Sequence, residues 1–386
     1  MFRYYKKTLT TLFEDVHLFN RNKNPELCFI IQRKLIRQTR YIESRIRILR
    51  KNQGDLKRLL GQCQPKNKAI EIKSAIDNIH LKIKDYNDLL YICREIGDGL
   101  AFSVFNKWKW DMKPLSFKES HGFISGKSGF RLEWNYLKYL CLIKKHRAIL
   151  NDLTTCLKYG DITYVDRGHM VIVEAKTSLN DGAIHQLEKT RKLLDYLSED
   201  KTNYLYDVQG PIVRVSVHHK EVYYSNVMNS LIKKSCSKVT ASKKVEEGLY
   251  YFASSGFETT LFDQIINDYK GDEIIVMFVN SFKQNNLGYC PFTLTISPQY
   301  LFDFYIGKYV LGVVVNMSYM RSKLAQNGIR MGKSKQHGYI LNSKSQTRDV
   351  SVSEHFFNRL FTEFISFNWL IKEVINCHIK ISNMIS

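Results

Sequence analysis

Proline is scarce in this chain, 6 in 386 residues, and glycine numbers only 20. That argues against collagen-like and Pro/Gly-rich disordered chains. No apolar run approaches the roughly 20 residues that span a bilayer. The longest, such as Tyr309 to Val315, read as buried strands. The 8 cysteines are scattered singly with no CxxC pair, which argues against a zinc ribbon or a disulfide framework. Met1 to Lys7 hold no apolar signal core, so a reducing, cytoplasmic setting without a membrane partner is expected. Acid is also in short supply. Against 58 Lys+Arg stand 37 Asp+Glu, a net charge of +21, and a chain this basic is expected to meet a polyanion, nucleic acid above all.

What is present is ample core material, 44% hydrophobic and 13% aromatic residues. The length predicts two or three domains, and the chain reads as three stretches, 1–115, 116–228 and 229–386.

The first stretch is helical, with two long segments flanking a break at Gly61 to Pro65. Cys28, Leu35, Ile42, Leu49 and Leu56 recur every seven residues, with Ile31 and Ile46 beside them. After the break, Ala69, Ile72, Ile76, Ile79, Ile83, Tyr86, Leu90 and Cys93 alternate by three and four. Such seams predict an antiparallel, coiled-coil-like hairpin. Its first helix is strongly basic: Arg33, Arg37, Arg40, Arg47 and Arg50 have only Glu43 and Asp55 as nearby acids. That face is either a solvated surface or a phosphate-contacting arm, which would position nucleic acid without reading sequence.

The second stretch opens with a glycine-rich loop, Gly122 to Gly129. It misses the P-loop spacing by one residue before Gly126-Lys127-Ser128, and no apolar strand precedes it. Lys127 is then a candidate phosphate contact. A helix is expected over Phe130 to Ile149, then two strand-like runs, a helix near 180–198 and a strand Ile212 to Val217. His218-His219 after that strand reads as incidental. In the third stretch, Ile274 to Val279 and Tyr309 to Val315 read as strands. Gly328 to Gly338 reads as a basic loop (Arg330, Lys333, Lys335) and Phe356 to Ile379 as one long helix.

The chemistry concentrates in Gly160 to Lys176. Two strand-like runs meet at Arg167-Gly168, a reasonable two-residue hairpin turn. With that turn Asp166 pairs with His169, and counting outward sets Asp161 opposite Glu174. Side chains alternate along a strand, so Glu174 and Lys176 share a face. Two opposed carboxylates repel, and a divalent cation with hard-oxygen preference, Mg²⁺ or Mn²⁺, compensates them. A lysine beside such an ion suits phosphodiester hydrolysis. Glu133 lies on the apolar face of its helix, where an acid needs a partner. A buried hydrogen bond or salt bridge and a supporting metal contact are both open.

Asp161, a twelve-residue spacer and Glu174-x-Lys176 at the end of an apolar strand resemble the PD-(D/E)xK nuclease superfamily, the restriction endonuclease-like nucleases. The resemblance covers about 128–220. Gly160 stands where the family name implies proline. The family core runs helix, three strands, helix, strand (αβββαβ), and the order read here is taken to fit it. The resemblance implies that Asp161 and Glu174 bind Mg²⁺, with Mn²⁺ able to substitute and the Ala175 carbonyl as a further ligand. It makes Lys176 the catalytic lysine, Glu133 a supporting ligand and Gln186 a polar residue near the site.

The expected protein is α/β: a restriction endonuclease-like core between a helical hairpin arm and a C-terminal α/β region of unassigned role. The expected activity is metal-dependent endonucleolytic cleavage of DNA, in restriction, phage defence or repair. One site per chain favours a homodimer or higher oligomer. The alternatives are an inactive nucleic-acid-binding or assembly protein, or a subunit that acts only with a protein partner.

Overall fold

Apolar residues on one stripe make the first helix, α1 (Phe2–Asn22): Tyr5, Leu9, Leu12, Phe13, Val16 and Phe19 are all buried. Lys23, at φ 55°, ends it. Asn24 starts the next, accepting at its side-chain oxygen from the Glu26 and Leu27 amides at 2.8 and 3.2 Å. The computed structural model describes every residue except 1, 63–64, 117–121, 176–180, 206–207, 215–216, 218, 257–266, 284–288, 334–338, 344–349 and 386. The described chain is mixed α/β, with an N-terminal helical region and small antiparallel sheets. It forms two compact units, 1–195 and 196–386. The boundary between them falls inside a helix, Asp181–Glu199.

In the first unit α2 (Pro25–Gln62) and α3 (Lys66–Val104) form the expected hairpin. Thr39 bonds Cys93 and Arg45 bonds Tyr86, so the pairing is antiparallel. With 38 residues, α2 is roughly 57 Å long at 1.5 Å rise per residue. The seam is buried at one end, through Cys28, Ile31, Leu35, Ile42, Ile46, Ile83, Tyr86, Leu90 and Cys93. Further out, Leu49, Leu56, Ile72, Ile76 and Ile79 are only half-buried, because two helices alone cover one side of each other. The helix α1, packed on both, was not foreseen as separate.

After α4 (Lys109–Leu115) and the glycine-rich loop comes α5 (Phe130–Lys138), extended by a π-helical turn, Tyr139–Ile143. The helix expected to reach Ile149 stops there. Lys145 takes φ 55°, and Ala148–Leu150 becomes strand β1. Strands β1, β2 (Ile162–Asp166) and β3 (His169–Val173) form an antiparallel sheet in that order. Buried Gln32 on α2 donates to the Ala148 carbonyl at 2.9 Å and accepts the Leu150 N–H at 2.8 Å.

Helix α6 (Asp181–Glu199) carries the chain into the second unit. There β4 (Lys201–Leu205) pairs with β5 (Val208–Val213). The strand expected at Ile212 to Val217 thus begins earlier, and among the described residues it is part of this two-stranded hairpin, not of the β1–β2–β3 sheet. Next come α7 (Ser225–Lys238), β6 (Thr240–Glu246), β7 (Leu249–Ser254), β8 (Ile274–Phe278) and β9 (Val310–Asn316). These four strands form an antiparallel sheet of order β6-β7-β9-β8, so both expected strands are present. The expected basic loop is instead partly strand: β10 (Ile329–Lys333) pairs with β11 (Tyr339–Ser343). Arg330 and Lys333 lie on β10; Lys335 lies outside the described residues. The single long C-terminal helix is two, Glu354–Thr362 and Phe367–Ile385, broken where Phe364 takes φ 54°. His219 is held by its own unit: its amide and Nδ1 meet Glu373 Oε1 at 3.0 and 2.5 Å.

Candidate functional site

The hairpin sets the site. Arg167 and Gly168 take φ 44° and 85°, the two positive angles of a type I′ turn, whose twist suits a two-residue hairpin. The register is the expected one, Asp166↔His169 through Ile162↔Val173. The regular ladder ends there: the Asp161 amide donates to the carbonyl of Val173, the residue already opposite Ile162, at 2.7 Å. Gly160 precedes Asp161 in a backbone conformation that favours glycine. Its φ is +74°, and a Cβ there would stand 2.4 Å from Ile172 Cγ2 and 2.9 Å from the Val173 oxygen.

Asn151, fully buried, fixes the approach to Asp161. Its amide donates to the Asp161 carbonyl at 2.9 Å, and its side-chain NH₂ donates to the Tyr159 and Gly160 carbonyls at 2.7 and 3.1 Å. Asp161 Oδ2 then accepts the Ala175 N–H at 2.8 Å. Both carboxylate oxygens of Glu174 are shielded from solvent.

The centre of the site is an ammonium. Lys127 Nζ lies 3.0 Å from Glu133, 2.8 Å from Asp152 and 3.1 Å from Asp161. The three acid side chains are 2%, 11% and 10% exposed, and that of Lys127 31%. Burial works against the Lys127 charge, but Asp152, Glu133 and Asp161 outweigh it and hold the ammonium well above its ordinary range. Burial pushes the Glu133 carboxyl up, and Lys127 pulls it back in part.

The glycine-rich loop carrying Lys127 is anchored on its other side to α2. Buried Glu43 accepts the Ile124 and Ser125 amides at 2.9 and 2.8 Å. Arg47 donates to the Ser125 carbonyl. Arg47 and Arg50 stand 5.8 and 5.5 Å from the Phe123 ring centre, and Arg40 stands 5.0 Å from that of Phe130, at cation–π distance.

The expected site residues are thus partly assembled. Asp161 and Glu133 converge, and Glu133 takes its salt-bridge alternative. Lys127, expected at a phosphate, spends its charge on carboxylates. Arg40, Arg47 and Arg50 remain exposed but lean on the loop's aromatics, while Arg33 and Arg37 are exposed on α2. Lys176 lies outside the described residues, as does the side chain of Gln186 on α6. Asp152 and the loop-anchoring role of Glu43 were missed. Asp152 sits two residues past an apolar run, a position that carries no motif.

Among the described residues no group of three or more His, Cys, Asp or Glu is arranged to hold a metal ion. Glu133, Asp152 and Asp161 instead share the Lys127 ammonium. Their spacing is that of an ammonium, longer than the roughly 2.0–2.1 Å of Mg²⁺ to oxygen.

Comparison with family models, with curated proteins and with solved structures finds no match to this chain.

Proposed function

We propose that the chain is a metal-dependent nuclease of the PD-(D/E)xK kind, cleaving phosphodiester bonds of DNA. The observation that carries this reading is the convergence of Glu133, Asp152 and Asp161 on one cation. It lies at the end of the β2–β3 hairpin, whose register runs to Ile162↔Val173. Asp161 and Glu174, supported by Glu133 and the Ala175 carbonyl, would hold Mg²⁺ or Mn²⁺. The ion supplies a Lewis acid for the phosphoryl oxygen and a more acidic water. Ala175 keeps Asp161 oriented through its N–H. Asn151 fixes the turn before Asp161. Lys176 is the residue proposed to position or help activate the water, with Gln186 near it. The exposed Arg33 and Arg37 are proposed to meet the DNA backbone, a contact that weakens with salt. A homodimer acting in restriction, phage defence or repair fits this activity.

A second reading is favoured by Lys127, whose ammonium already neutralises part of the carboxylate cluster. It is a nucleic-acid-binding or assembly subunit that keeps the fold without the reaction, or needs a protein partner for it.

Cleavage of plasmid and single-stranded DNA by the full chain, with Mg²⁺, Mn²⁺ or EDTA, separates the two. Metal-dependent cutting abolished in folded Glu174→Ala and Lys176→Ala proteins is the expected result. Cutting that survives both substitutions sinks the nuclease assignment, and binding without cutting supports the second reading.

A further inference from the structure

We infer that the outer face of α5 and its π-helical turn is a docking surface for single-stranded DNA, whose bases stack on Tyr136 and Tyr139 while neighbouring lysines meet the phosphates. The choice of DNA rests on the reading above; the surface itself does not depend on cleavage. Four rings run across it in contact. Tyr136 and Tyr139 lie nearly parallel, at 21°, with their centres 6.3 Å apart. Tyr136 shares a hydrogen bond with Tyr164 on β2, and the Tyr164 ring stands 5.3 Å from that of His146. Tyr139 and Ile143 are 42% and 70% exposed, and Leu132, one helical turn before Tyr136, is exposed as well. An aromatic and apolar stripe of this kind in open solvent marks an interaction site. The π-helical turn that carries Tyr139 points the same way, since such turns are rare and frequent at functional sites.

Charge decides the occupant. From Phe130 to Arg147 the chain carries Arg131, Lys138, Lys144, Lys145 and Arg147 but a single acid, Glu133, and that carboxylate is buried against Lys127. Arg131, Lys138, Lys144 and Lys145 are exposed. Lys145 holds Glu26 at 2.6 Å, and Asp166 lies 3.9 Å from His146, which leaves the balance positive. A second copy of the same face would set like charge against like. A nucleic-acid strand offers phosphates to the lysines and flat bases to the rings, and stacking accepts any sequence because every base has a π-face. A duplex keeps its bases stacked inside, so the single strand is the form that fits. Lys144 Nζ stands 5.6 Å from the centre of the Tyr139 ring. At an exposed site such a cation–π contact is weaker than the stacking of a base. A base therefore takes the ring, and the ammonium moves to the phosphate beside it.

Fluorescence anisotropy of a labelled oligo-dT strand of about 12 nucleotides, with the full chain in EDTA, reads binding without cleavage. Tyr139→Ala is expected to weaken binding about fivefold or more and to leave its salt dependence unchanged, whereas Tyr139→Phe keeps the affinity. Lys144→Ala is expected to lower the slope of log affinity against log salt by about 0.7. Should Tyr139→Ala fail to fold, the Lys144→Ala slope decides. Affinity for a duplex of the same length should not respond to Tyr139→Ala. A wild-type chain that does not bind the single strand overturns the inference, as does a Tyr139→Ala loss that is equal for single strand and duplex. An oligo-U strand held more tightly through the same tyrosines would reassign the surface to RNA. If Tyr139→Ala leaves DNA binding unchanged and abolishes a self-association seen in sedimentation, the face joins two copies and the inference is wrong. Binding that behaves as expected in a protein that never cuts overturns the nuclease reading alone.

Discussion

Ala175 donates its backbone N–H to Asp161 Oδ2 at 2.8 Å across the open end of the hairpin, while Asp161 Oδ1 faces Lys127 Nζ at 3.1 Å. The carboxylate is therefore fixed at both oxygens. A hydrogen bond to a charged acceptor contributes about 1.5–3 kcal/mol. Asp161→Ala is expected to cost about 2 kcal/mol in urea unfolding. Asp161→Asn keeps an acceptor for Ala175 but turns its NH₂ toward the Lys127 ammonium, and is expected to cost about 1–2 kcal/mol.

Two glycines of the same hairpin should respond differently to alanine. Gly160 has φ +74° and no room for a Cβ, whereas Gly168 has φ +85° and nothing within 4 Å. Left-handed backbone alone costs an alanine roughly 1–2 kcal/mol, and a forced core clash adds about 1–3. Gly168→Ala is expected to lose about 1 kcal/mol and Gly160→Ala about 3. Thermal melts of both variants check the ranking, and equal losses would contradict the close packing at Gly160.

Glu43→Ala removes the acceptor of two consecutive loop amides. Amide exchange at Ile124 and Ser125 is expected to accelerate at least tenfold, about 1.4 kcal/mol of local protection. Exchange in the β2–β3 hairpin should be unchanged. Hydrogen exchange by mass spectrometry reads both segments in one experiment.

Burial, helped by the neighbouring Lys158 charge, pulls Lys113 down to about 8. An unfolded lysine titrates near 10.4. Below pH 8 both states carry the proton, and the fold bears the cost of a poorly solvated ammonium. Between about 8 and 10.4 the unfolded chain binds more protons than the folded one, so this residue's contribution to stability rises with pH. Lys113→Met is expected to stabilise the protein by about 1–2 kcal/mol at pH 7, within the upper bound of about 3 that the shift implies. The advantage should shrink by pH 10. Denaturant midpoints at the two pH values decide it, and an advantage independent of pH would show that charge burial is not its source.

Local arithmetic was the legible part of this molecule. A two-residue turn at Arg167-Gly168 suffices to set the β2–β3 register from Asp166↔His169 to Ile162↔Val173, but not the step beyond it, where the Asp161 amide returns to the Val173 carbonyl. Heptad spacing likewise finds the α2–α3 seam. Short apolar runs were not legible in the same way. Ala148-Ile149-Leu150 fits the end of a helix as well as a strand, and the left-handed Lys145 that decides between them has no marker in sequence. The break at Phe364 escaped for the same reason. The partners of Lys127 were out of reach for another: Asp152 and Asp161 are distant in sequence and belong to no fixed spacing. A lysine after glycine invites a phosphate reading, and only the packed structure shows carboxylates around it.

Gln32 bears on a different hazard. Strand β1 is three residues long, and its face away from β2 presents the Ala148 carbonyl and the Leu150 N–H to α2. The Gln32 carboxamide offers one donor and one acceptor to those two groups, as the backbone of another strand would. The sheet's open edge is thereby closed by a single helix side chain. A further strand, from this chain or from a second molecule, cannot extend the ladder there without displacing it. A sheet edge that would otherwise template intermolecular pairing is thus sealed from within.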